Sequence, residues 1–296
     1  MHGELTLDQG LAVFFAAATA LSNAVAVATQ HIASTSSVER LKGWHLVVHL
    51  FRQPLWLFGW VALTGSLIFQ ALALRFGPMS EVQPILVTEL VMALLLRRYW
   101  IRQSLRGLTW VGAIITCAGL VSFLGATSPS GRANVPTTSS WTMPVLASLA
   151  AAAVFVLAAQ RGSPSRRAAM FACSTGVLWA LEATFIKATT DTIASSGFAG
   201  ALGRWPVYAF AVGGVLGLFA EQAALHVGPL KVSQPFIVIV DPVVSIVLGV
   251  WLYGEKLRGG LLHFGVGGLG LVVMCLGVVL LTQTAPDSMK AELHRL

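Results

Sequence analysis

Long apolar blocks separated by short polar stretches run through almost the whole chain. Nine blocks are long enough to cross a membrane as helices: roughly 9–31, 54–75, 79–98, 107–126, 142–160, 167–188, 205–226, 230–252 and 260–283. About 20 residues of helix span a hydrocarbon core, and in lipid a single segment can satisfy its own backbone only as a helix. The pattern predicts an all-α polytopic membrane protein. The stretch WHLVVHLF (44–51) is too short to cross and reads as an interfacial turn of helix. His45 and His49 stand four residues apart within it, but no acid or cysteine completes a metal site.

The apolar blocks repeat. RQPLWLFGWVALTGSLIFQALALRFGP (52–78) matches RWPVYAFAVGGVLGLFAEQAALHVGP (204–229) with one gap. Arg52 pairs with Arg204, Pro54 with Pro206, Gln70 with Gln222, and Gly77-Pro78 with Gly228-Pro229. The match continues through Gln83-Pro84 and Gln234-Pro235, then Glu89 and Asp241, then Arg106-Gly107 and Arg258-Gly259; Gln30 pairs more weakly with Lys187. Each copy holds four spans. The expected organisation is a first repeat over 1–126, a polar loop plus one extra span over 127–163, a second repeat over 164–283 and a tail over 284–296. The extra span reverses the second copy, and inverted repeats are the usual construction of secondary transporters.

Charge orients the chain. Only 10% of residues are charged, against about 25% in an ordinary soluble domain. The net charge of +7 comes from cations beside apolar blocks, not along one face, so nucleic acid is not an expected partner. Thirteen of the 19 Lys and Arg fall on one side of a nine-span chain, which should be cytoplasmic. That places the N-terminus outside a cell membrane and the C-terminus inside. The first ten residues carry no Lys or Arg, unlike a cleaved signal peptide. Cys117, Cys173 and Cys275 lie inside apolar blocks without metal-ligand spacing.

Several motifs keep a fixed order along both copies: Trp56 and Gly59, Gln70-Ala71, Gly77-Pro78 and Gln83-Pro84, then Cys173, Ser174, Gly176 and Lys187, then the Gly254-Glu255-Lys256 turn. In these the chain resembles the drug/metabolite transporter superfamily, and within it the NIPA-like magnesium transporters, over about 10–283. The resemblance implies a secondary carrier of small solutes that uses no ATP. This chain has Gly65-Ser66 where NIPA-like members carry a Gly-Glu pair, and it adds the acids Glu89 and Asp241.

Those two acids are the first candidates for the site. Each falls mid-span at equivalent positions of the two copies. A carboxylate at the bilayer centre costs at least about 2.5–3.5 kcal/mol, so it should face protein or water. Together they suit proton coupling or a cationic group. Gln83 and Gln234 precede them beside prolines that free a carbonyl and can kink the helix, and Gln234 shares a helical face with Asp241. Gln70 and Gln222 are expected to bond between helices. Glu182 is a further candidate. Glu221 is read as reaching the interface, and Lys187 as snorkelling from its span end. Trp60 and Trp179 are candidate cavity liners, and Gly213, Gly217 and GVGGLG (265–270) suit close helix packing.

The expected function is a secondary-active transporter of a small metabolite or drug-like solute, proton-coupled by alternating access. The alternative is a divalent-cation carrier, since Mg²⁺ needs only one or two carboxylates. A membrane enzyme is disfavoured by short loops and by the absence of G-x-x-x-x-G-K and H-E-x-x-H motifs. No cofactor is expected. The expected partners are the bilayer and a small-molecule or ion substrate, and a homodimer is compatible with the sequence.

Overall fold

A computed structural model of the chain describes residues 2–37, 53–100, 105–129 and 136–284. His45, His49 and the tail beyond Thr284 lie outside the described residues. The helices are α1 (His2–Ser37), α2 (Pro54–Phe76), α3 (Met79–Leu86), α4 (Glu89–Trp100), α5 (Gly107–Thr127), α6 (Thr142–Ala158), α7 (Pro164–Ala201), α8 (Trp205–Val227), α9 (Leu230–Tyr253) and α10 (Leu261–Thr284). Among the described residues, nine helical segments are long and apolar enough to cross a membrane, with α3 and α4 forming one of them. This is an all-α, multi-pass membrane protein.

Prolines and polar caps set the helix starts. α2 and α7 each begin with proline, whose missing N–H costs nothing at a first turn. The Ser163 side chain also accepts the Arg166 N–H at 3.4 Å. α7 is the hub: 78% of its apolar stretch is buried, against 22% for α2 and for α8. It packs on α6, α8 and α9, while α1 packs on α2, α3 and α4. The other helices expose large apolar side chains on their outer faces, as Val61, Leu157 and Leu261 illustrate, which suits a lipid surround.

α5 and α10 form the closest pair. A Cβ on Gly112 would touch the backbone of Leu281, one on Gly119 the backbone of Met274, and one on Gly277 the backbone of Thr116. The contacts descend along α10 as they climb α5, so the pair is antiparallel. Small residues let the backbones approach where no hydrophobic drive separates helix from lipid. Gly213 and Gly217 instead face the rings of Phe185 and Trp179.

The two proline-containing spans differ. Pro84 lies in α3, which gives way to a turn at Val87 and Thr88 with i→i−3 bonds, and α4 restarts at Glu89. α9 contains Pro235 and Pro242 yet stays one helix. Pro235 removes the donor for the Lys231 carbonyl, and Gln283 Nε2 donates to that oxygen at 3.0 Å instead. α7 is also longer than its expected span. It continues to Ala201 through a break at Gly197, where φ is 72°. The loop expected over 127–141 includes a 3₁₀ turn, Thr138–Trp141, that delivers a buried Trp141.

Candidate functional site

Glu89 opens α4, immediately after the turn at Val87 and Thr88. Asn23 Nδ2 donates to Glu89 Oε2 at 3.0 Å, and Ser66 Oγ donates in turn to Asn23 Oδ1. The acid is thereby tied to α1 and α2. Asp241 lies mid-way along α9, one turn before Ser245, whose hydroxyl donates to Oδ1 at 3.1 Å. Gly176 of α7 packs so tightly on Val240 and the Asp241 backbone that a Cβ there would meet both. Asp241 lies within electrostatic range of both Glu89 and Glu182, and Glu89 within range of Glu221. The Trp179 indole lies beside the Glu221 carboxylate.

Four carboxylates from α4, α7, α8 and α9 thus form one electrostatic group inside the bundle. All four are half-buried. Glu182 turns its carboxylate toward Gly214, where a Cβ would sit 2.9 Å from Oε1. Such a group can hold protons, or a cationic ligand whose charge replaces them. Among the described residues no three His, Cys, Asp or Glu side chains converge closely enough to cage a metal ion.

The other sequence candidates distribute unevenly. Gln83 is 2% exposed, and its Nε2 finds no acceptor among the described residues. Gln70 and Gln234 are half-buried, and Gln222 is exposed on α8. Trp60 is 47% exposed and stacks edgewise on Trp56, whereas Trp179 is half-buried beside Glu221.

One expectation is corrected. Lys187 does not snorkel outward: it is 4% exposed and donates to the carbonyls of Leu74 and, at 3.0 Å, Gly77. The last carbonyls of α2 lack partners within their helix, and the negative end of the helix dipole attracts an ammonium. Glu221 is half-buried on α8 beside Trp179.

Sequence reasoning also passed over Asn23, Ser66 and Glu255. The first two were legible as polar residues in otherwise apolar spans. Glu255 was visible only as part of a turn. It is 3% exposed, its Oε1 accepts the Met79 N–H at 2.6 Å, and its Oε2 accepts the Ser80 N–H at 2.9 Å and the Ser80 hydroxyl at 2.7 Å.

An uncharacterized protein of Corynebacterium glutamicum is 27% identical to this chain over 278 residues, covering 93% of this chain and 96% of its own length. No family model and no solved structure matches the chain.

Proposed function

We propose that this protein is a secondary-active carrier of a small organic solute, driven by protons through Glu89 and Asp241 and working by alternating access. The observation that carries the reading is the pairing of these acids. They occupy equivalent sequence positions in the two halves, each with its own hydrogen-bond donor, and they lie within electrostatic range of one another. Intramembrane carboxylates of this kind are the usual proton relays of transporters.

The packing supports two inverted halves of four spans around an extra span at α6. α1 against α2 has its counterpart in α7 against α8, and the last helices of the two copies, α5 and α10, form the antiparallel pair described above. The motif order that resembles the drug/metabolite transporter superfamily supports the same reading. The cation bias supports a cell-membrane location with the N-terminus outside.

The test is transport in liposomes holding only this protein. Glu89→Gln and Asp241→Asn remove the titrating group and nearly preserve shape. Proton-driven accumulation should disappear, while exchange without a gradient should survive because it moves no net proton. Loss of both activities would favour the NIPA-like divalent-cation reading, in which the carboxylates are ligands.

A further inference from the structure

Two charged residues of the second half grip one turn of the first. α2 ends and α3 begins on either side of Gly77-Pro78, so a negative and a positive helix end stand side by side. Lys187 donates to the carbonyls of Leu74, in the last turn of α2, and of Gly77, its C-cap, and Glu255 accepts the α3 amides of Met79 and Ser80. Tyr253 braces the pair: the Lys187 ammonium lies 5.5 Å from its ring centroid, and its hydroxyl donates to the Thr184 carbonyl at 2.8 Å. Next to it Trp141, Phe185 and Trp205 pack edge and face with centroids 4.9–6.1 Å apart.

The local sequence builds this grip. α9 ends at Gly254 in the left-handed region (φ 63°), which turns the chain back on itself. The Glu255 carboxylate then passes over Gly249, where a Cβ would collide with Oε2.

Among the described residues the opposite face shows no equivalent. By the repeat alignment, the counterparts of Lys187 and Glu255 are Gln30 and Gln103, both uncharged. Gln30 packs on Gly59 of its own half, and Gln103 lies outside the described residues. The counterpart turn at Gly228 rests on Pro164 and Ala168 of its own half. α2 reaches across to α7, but α8 and α1 make no comparable contact among the described residues.

We propose that Lys187 and Glu255 form a releasable clasp on the Gly77–Pro78 turn, closing the bundle on that face above Glu89 and Asp241. The clasp is a gate in the sense of the carrier reading, on which it rests. Its bonds go from charged side chains to helix-end backbone groups, all of which water can satisfy once the halves part. The face opens when both charges let go of the turn.

The test reads access and needs no substrate. In the full-length protein with Cys117, Cys173 and Cys275 replaced by serine, Thr184→Cys supplies the only thiol. Thr184 is fully buried beneath Tyr253. In detergent, a charged thiol reagent should label it slowly. Glu255→Gln and Lys187→Met should each speed labelling on the order of tenfold by shifting the closed state toward the open one. Ser80→Ala, which removes a single bond to Glu255, should speed it less.

An unchanged rate in a folded Glu255→Gln or Lys187→Met protein overturns the proposal. Should both fail to fold, Ser80→Ala decides, and labelling at the parent rate overturns it. The two readings separate in liposomes. Faster labelling of a protein that moves no solute supports the clasp and removes the carrier, whereas solute flux with unchanged labelling removes the clasp.

Discussion

Glu255 Oε1 accepts the backbone N–H of Met79 at 2.6 Å across 176 positions of chain. The bond joins the C-terminal turn of α9 to the first residue of α3, so a carboxylate supplied by one half caps a helix of the other. Charged hydrogen bonds in buried surroundings are strong largely because their loss strands a donor. Glu255→Ala should therefore lower unfolding stability by about 2 kcal/mol or more, seen as an earlier thermal midpoint in detergent. Glu255→Gln, which keeps one acceptor, should lose less. Equal midpoints for all three proteins would show that water replaces the carboxylate at no cost.

The α5–α10 seam makes a contrasting prediction about packing. Gly119→Ala should destabilise by about 1–3 kcal/mol, because its methyl would meet the Met274 backbone. Gly125, six residues on in the same helix, has open space beside it, and Gly125→Ala should stay within about 0.5 kcal/mol of the parent. Thermal unfolding of the two variants side by side checks the seam, and equal midpoints would contradict it.

Asn23 and Gln222 separate a positioned polar residue from a merely intramembrane one. Asn23 links Ser66 to Glu89, whereas Gln222 is exposed. Under the proposed function, Asn23→Ala should slow proton-driven uptake on the order of tenfold, as expected when a hydrogen-bond partner worth about 1.4 kcal/mol is lost. Gln222→Ala should leave uptake near the parent rate. A reversed order in a liposome uptake assay would remove Asn23 from the site.

Topology offers the simplest check. Under the proposed function, nine crossings would put the two ends on opposite sides, and the cation bias predicts an N-terminus outside. A tag before residue 1 should be reached by protease from outside intact cells, and a tag after residue 296 only after permeabilisation. Both tags on one side would contradict the crossing count.

The sequence by itself determined the class, the crossings and the first pair of acids. Runs of about twenty apolar residues leave the backbone one solution in lipid, so the span ends at Pro54, Gly107 and Trp205 were legible. Glu89 and Asp241 stood out because a carboxylate is rare at such depth. Tertiary structure alone decided what each polar side chain meets. Lys187 looked like a snorkelling residue because one helix, read alone, shows only its distance from water; the unpaired carbonyls that hold it belong to α2. Glu255 was legible only as part of a turn for the same reason, since the amides it caps lie 176 positions away. Helix periodicity records which face is apolar, but a buried charge is stabilised by partners that only packing brings within reach.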